Sequence, residues 1–243
     1  MTDLRFVLVD ADNFDAIPGP AAPGARCQTC DYWERIDGHR EPPDAHRASA
    51  HDLKRSRLLA GERLAGAYAM LAYEGDDAIG YAQFGPISNY PRAQVIRDRY
   101  RELPDSPAPG VITCLQVVPA TTDRETAGAA LLNATCDEID RRGITAVEAY
   151  PEGVADGWMP SPGPAAIYEA NGFEHVAGDD RYPVYRRELT GAAADTGWGD
   201  LLRHTAPADD EDAWPFPLPK GPSEDDLFRL PERPKRPNPF GDD

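Results

Sequence analysis

Apolar and polar positions along this chain alternate with a period of two in several short runs and recur at helical spacing in others. Arg5–Val9 reads as a first strand, and Asp10–Arg26, rich in Pro, Gly and Ala, as a loop or broken helix. Asp52–Leu64 has the stripe of an amphipathic helix. Tyr68–Tyr73 and Ala78–Phe84 are strand-like runs around Glu74-Gly75-Asp76-Asp77, a hairpin signal. Ala93–Leu103 predicts a helix, and Pro104–Gly110 a turn-rich entry to the strand Val111–Val118. The loop Pro119–Gly128 leads into a helix over Ala129–Arg142. Its apolar stripe is Leu131, Leu132, Thr135, Cys136 and Ile139, and Gly143 is its stop signal. A strand over Thr145–Tyr150, a short helix from Ala165 up to Gly172-Phe173, and a last hairpin of Phe173–Ala177 with Pro183–Leu189 complete the pattern. The order predicts one mixed α+β domain over residues 1–190.

Residues 191–243 differ in kind. They hold nine of the chain's 25 prolines, and acids cluster at Asp209-Asp210-Glu211-Asp212 and Glu224-Asp225-Asp226. Such a composition buries little of itself. Trp198, Leu201, Leu202, Trp214, Phe216 and Phe228 are nevertheless too apolar for a plain linker. A Pro-rich acidic extension, disordered or docked in extended form, is the expectation.

Charge narrows the partners. With 42 acidic against 25 basic residues the net charge is −17. That field disfavours nucleic acid and anionic membrane and mildly favours a cationic acceptor such as an amine, although acidity also serves solubility. No apolar run approaches the ~20 residues of a membrane helix. Met1–Asp10 reads as a short strand followed by acids and not as a signal peptide. Four cysteines in 243 residues make no disulfide framework. The expectation is a cytoplasmic protein, monomer or homodimer.

The junction before the helix at Ala129 carries the chemistry. A helix start leaves backbone N–H groups unpartnered and its dipole favours negative charge. Thr126, Ala127, Gly128 and Ala129 are small enough to let an anion approach. The strand, loop, helix and strand of Val111–Tyr150, followed by Tyr168 and Gly172-Phe173, resemble the acetyl-CoA core of the GNAT acetyltransferase family. That family's loop reads Gln/Arg-x-x-Gly-x-Gly/Ala. Here it falls on Asp123–Gly128: Gly128 matches, Thr126 replaces the first glycine, and Asp123 replaces the Gln/Arg, with Arg124 one position later.

The resemblance implies a mixed, mostly antiparallel central sheet flanked by helices, with acetyl-CoA as acyl donor and an amine of a small molecule or protein as acceptor. The backbone of Leu115, Val117 and Val118 would pair with the pantetheine arm. Amides from Arg124, Glu125, Thr126, Ala127, Gly128 and Ala129 would hold the pyrophosphate. Lys54, Arg55, Arg57 and Arg63, clustered in one predicted helix, would lie near the CoA phosphates. Tyr168 matches the tyrosine that protonates the leaving thiolate in many relatives, and its alternative is a helix aromatic packed on the sheet. Where many relatives carry a glutamate on the central strand, this chain has Cys114. A neutral buried thiol is no carboxylate. Glu148 and Glu34 are the remaining carboxylates considered as base. The absent strand carboxylate and altered loop also suit a rival reading: an inactive GNAT-fold sensor or scaffold that binds acyl-CoA.

Cys27-Gln28-Thr29-Cys30 supplies half a zinc site, with His39, His46 and His51 following at spacing unlike a standard finger. No metal is the expectation. The local alternative is that this segment lines an acceptor pocket through Tyr32, Trp33 and Glu34, since aromatic walls with a carboxylate suit an amine. Tyr32 and Trp33 as plain anchors to the core is the competing reading.

Overall fold

In a computed structural model the described residues are 4–19, 26–36, 47–104, 107–151, 163–179 and 183–190. The proposed extension at 191–243 lies outside them, as do His39 and His46. The elements run β1 (Leu4–Leu8), a 3₁₀ turn (Phe14–Ala16), α1 (Arg47–Ala65), β2 (Ala69–Glu74), β3 (Asp77–Pro86) and a second 3₁₀ turn (Ile87–Asn89). They continue with α2 (Pro91–Arg97), β4 (Gly110–Val117), α3 (Arg124–Arg141), β5 (Ala146–Ala149), α4 (Ala165–Glu169), β6 (Glu174–Ala177) and β7 (Val184–Glu188).

The seven strands form one sheet in the order β1-β2-β3-β4-β5-β7-β6. Every neighbouring pair is antiparallel except β4 with β5. The parallel pair is joined through α3, as parallel strands require a crossover. The fold is therefore α+β, mostly antiparallel and flanked by helices.

Two apolar layers cover the sheet. One holds the α3 stripe Leu131, Leu132, Cys136 and Ile139 against Ala82, Ile112, Leu115, Val147 and Ala149, with Tyr168 and Phe173 beside them. The other gathers Leu58 of α1, Ala93 of α2, and Phe14, Tyr32 and Trp33 against Leu71, Tyr81, Val111 and Cys114. Strand alternation sorts residues between the layers.

Some boundaries differ from the sequence pattern. Helix α2 stops at Arg97, not Leu103, because the next residues close i to i+3 turns: Tyr100 N–H donates to the Arg97 carbonyl at 2.9 Å and Leu103 N–H to the Tyr100 carbonyl at 3.3 Å. Helix α3 starts at Arg124, not Ala129. The Asp123 carboxylate caps it by accepting from Thr126 N–H at 3.1 Å. Gly143, at φ +75°, ends the same helix as expected.

Candidate active site

Strands β4 and β5 pair only through Gly110↔Val147, Val111↔Glu148 and Ile112↔Ala149, and beyond this β4 continues to Val117. The split opens at a bulge. Gln83 faces Cys114 and Phe84 faces Ile112, so Thr113 is the extra residue on β4, its hydroxyl donating to the Gln83 carbonyl at 3.3 Å. The bulge shifts the alternation: Ile112 and Leu115 fall on the α3 layer, Val111 and Cys114 on the other. Leu115 and Val117 thus turn their side chains into the α3 layer, where Val118 packs at the margin. Their backbone runs along the split. Gly163, on the segment entering α4, lies against the Leu115 carbonyl.

The start of α3 sits at the end of this strand. Thr126 is exposed, whereas Ala127 and Gly128 are buried within the helix. Gly128 is where the resemblance places the pyrophosphate. A Cβ there would come 2.9 Å from Ile167 Cδ1, so the missing side chain serves the approach of α4. The amides of Arg124 and Glu125 precede the first helical bond, from Ala127 N–H to the Asp123 carbonyl at 3.0 Å. These are the amides that helix geometry leaves for an anion. Asp123 is fully exposed, and its hydrogen bonds with Thr126 hold its carboxyl below the ordinary range. The donor set fits a diphosphate, with a resident carboxylate beside it.

On the opposite face a buried polar network stands over Gln83 and Cys114. The Lys54 side chain, on the buried stripe of α1 with Leu58, is 1% exposed. Its Nζ donates to Glu34 Oε1 and, at 2.8 Å, to Gln83 Oε1. Glu34 Oε1 also accepts from Tyr68 Oη and from Gln83 Nε2 at 3.1 Å. Tyr81 Oη donates to Gln83 Oε1 at 3.2 Å. Glu34 Oε2 is buried and has no hydrogen-bond partner among the described residues, and the same holds for Trp33 Nε1. Burial pushes the Glu34 carboxyl up, but the Lys54 ammonium and the hydrogen bonds from Lys54 and Tyr68 outweigh it and hold the group below its ordinary value. Burial likewise lowers Lys54, and Glu34 reverses this to raise it.

This placement corrects the expectation for the basic cluster. Lys54 is committed to Glu34 and Gln83, Arg55 donates to the Ala11 carbonyl at 2.7 Å, and Arg57 to Asp31 at 3.1 Å. Helix α1 covers the face away from α3, so these side chains do not gather at its N-terminus.

Arg92 of α2 clamps the segment that carries the network. Its guanidinium lies 4.0 Å from the Tyr32 ring centroid, and it donates to the Tyr32 carbonyl and hydroxyl, each at 3.1 Å. Trp33 meets Tyr150, just past β5, at 6.4 Å between ring centroids. Cys27 and Cys30 occupy one helical turn, with Cys30 N–H donating to the Arg26 carbonyl at 2.9 Å, and both pack on this layer. Burial, with help from Cys30, pushes the Cys27 thiol up to about 12, and burial raises Cys30 and Cys114 as well. Inert thiols line this wall. His51 pairs instead with Asp15 at 3.0 Å and edges onto Phe14. Among the described residues no group of three His, Cys, Asp or Glu is placed to hold a metal.

Glu148 is saturated. Oε1 accepts from Arg186 at 2.7 Å, and Oε2 from Arg97 at 3.1 Å and Tyr150 at 2.6 Å, with the side chain fully buried. Tyr168 lies in the α3 layer at 0% exposure, edge-on to Phe173 at 5.0 Å and stacked on Tyr185 at 6.4 Å. Burial, and then Cys136 and Cys114, push its phenol well above the ordinary value, so it stays protonated.

Gln83, Tyr68 and Lys54 were not legible as site residues. The one sequence signal was a lysine on a helical stripe with Leu58 and Gly61, all three buried.

No protein-family model matches the chain. No curated protein matches it either. Among solved structures it is similar to a protein assigned to the GNAT acetyltransferase family from Desulfovibrio desulfuricans, at 18% identity and TM-score 0.46, over 76% of this chain and 99% of that one. It is also similar to the PaiA N-acetyltransferase of Thermoplasma acidophilum in complex with coenzyme A, at 13% and 0.44 over 77% and 99%. A third is the polyamine N-acetyltransferase of Drosophila melanogaster, at 12% and 0.48 over 77% and 100%. Among the described residues no helix is long and apolar enough to cross a membrane.

Proposed function

We propose that this chain is an acetyl-CoA-dependent N-acetyltransferase acting on an amine of a small molecule or protein. The observation that carries the reading is the split between β4 and β5, opened by the Thr113 bulge and closed at its far end by the start of α3. An extended thioester arm would add to β4 as a strand, because a strand edge offers alternating donors and acceptors. Its diphosphate would meet the amides of Arg124 and Glu125. The acetyl carbonyl would then lie by the bulge, where backbone donors polarise it. The amine would arrive from the face of Trp33, Glu34 and Cys114.

The amine nitrogen attacks the thioester carbon, the C–S bond breaks, and the thiolate takes a proton. Tyr168 is the proposed donor. Its raised pKa keeps the proton available but makes the transfer uphill by about 1.4 kcal/mol per unit of mismatch. The transfer therefore accompanies C–S cleavage.

The test is calorimetric titration with CoA, followed by thiol release from acetyl-CoA with a panel of amines. Binding with turnover is the expected result. Binding without turnover on any amine would favour the acyl-CoA sensor or scaffold. Absence of CoA binding would overturn both.

A further inference from the structure

Two carboxylates stand on the acceptor face, and their coordination differs. Both oxygens of Glu148 are taken, by Arg186, Arg97 and Tyr150. Glu34 is held at one oxygen only. Lys54, Tyr68 and Gln83 all donate to Oε1, while Oε2 is buried and unpartnered among the described residues. Its side chain is 6% exposed, so bulk water does not supply the missing donor. A carboxylate oxygen accepts only, and leaving one unmet in a dry site is unfavourable. The position is specific too. Gln83, which holds Glu34, is the cross-strand partner of Cys114, the first residue past the bulge. A loop thus brings a carboxylate to the strand position where the chain has a thiol.

Resting on the transferase reading, we infer that Glu34 is the catalytic base: its unpartnered oxygen receives the acceptor's N–H, directly or across one water, and takes its proton. Lys54, Tyr68 and Gln83 are positioning residues that fix the other oxygen. The neutral amine forms a C–N bond to the thioester carbon, which leaves a positive nitrogen carrying an acidic proton. That proton passes to Glu34, the C–S electron pair leaves on sulfur, and the thiolate is protonated in turn. Glu34 then returns its proton to solvent. A carboxylate held ionised by Lys54 is too weak a base to strip a free ammonium. It suits a proton that becomes acidic only after the C–N bond forms. The groups facing Glu34 are Lys54 from α1, Tyr68 at the entry to β2, Tyr81 from β3, Tyr90 ahead of α2, Cys30, and Cys114 from β4. Of these, only Lys54 is charged at neutral pH.

The experiment uses the full chain and a panel of probes: 2-phenylethylamine, 1,4-diaminobutane, ethanolamine, glycinamide and a lysine peptide. Glu34→Gln combined with Lys54→Met leaves no buried charge unpaired. The expected result is a folded protein with unchanged CoA affinity whose kcat for an accepted probe falls about 10²- to 10⁴-fold. Lys54→Met alone keeps the base but frees its titration, so the acid limb of kcat/KM moves to higher pH, a shift that packing alone does not produce. If the double variant does not fold, Glu34→Asp keeps the ion pair and withdraws the carboxylate by one methylene, and kcat should fall with CoA binding intact. Transfer within threefold of wild type in either folded variant overturns this inference and leaves the transferase reading standing. A wild-type protein that acetylates no probe overturns both.

Discussion

Asp123 occupies the place where the resemblance calls for a glutamine or arginine, and its carboxylate holds the Thr126 amide at the front of α3. A diphosphate arriving there meets a negative charge. Asp123→Asn keeps the capping oxygen and removes that charge. The expected result is tighter CoA binding by roughly two- to fivefold at low salt, from about 0.3–1 kcal/mol. Calorimetry at two ionic strengths checks it, because the gain should fade as salt rises. In the layer under α3, Tyr168→Phe removes a hydroxyl and almost no volume. If the phenol protonates the thiolate, kcat falls about 10- to 1,000-fold with KM little changed. A tyrosine that serves only as core packing against Phe173 and other side chains predicts near-normal turnover, and steady-state kinetics separates the two. Residues at this scale stood out in the sequence where type carries meaning on its own, as for Trp33 and Glu34, proposed for the acceptor side. They were not legible where meaning comes from a partner. Lys54 read as one of a basic cluster near the CoA phosphates because nothing local in the chain places Glu34 and Gln83 beside it.

At the scale of elements, the strand and hairpin pattern stood out because apolar alternation is a local property. Two features escaped it. The start of α3 moved because the Asp123 cap decides it, not the apolar stripe. The Thr113 bulge left no mark, since an inserted residue changes pairing without changing composition. Yet the bulge turns Cys114 to the face of Glu34. Elements are also tied by charge. Glu148 on β5 joins Arg97 of α2 to Arg186 of β7, with those side chains 12% and 7% exposed. Removing the Glu148 charge leaves Arg97 without its carboxylate and Arg186 with Glu188 alone. Glu148→Gln is therefore expected to destabilise by about 3–5 kcal/mol. Thermal unfolding reads this as a fall of roughly 6–20 °C, taking about 2–4 °C per kcal/mol for a chain of this size.

For the whole molecule, the buried thiols set an alkaline limit. Burial pushes Cys136 from 9.0 to about 12, with Asp137 adding to the rise and Arg187 opposing it. The folded chain keeps this proton while the unfolded chain loses it above about pH 9. Stability from this group is thus full below pH 9 and falls as pH climbs towards 12. Urea midpoints measured from pH 8 to 11 should decline, and Cys136→Ala should flatten part of that slope. A slope unchanged by the substitution would remove Cys136 as a contributor.

The strand order also sets a schedule for assembly. β7 lies between β5 and β6, although among the described strands it is the last to be made. As the chain leaves a ribosome, β1 to β4 can zip together in sequence, and α3 can then bring β5 alongside β4. From that moment β5 shows an open edge, and β6 emerges with no neighbour at all. Only when Val184–Glu188 arrive do both strands gain a partner, in one event. A pause or a nick between Ala177 and Val184 would hold the molecule with a bare, sticky edge, the form most prone to pair with another copy. β7 works as a keystone: the arch stays open until it is set.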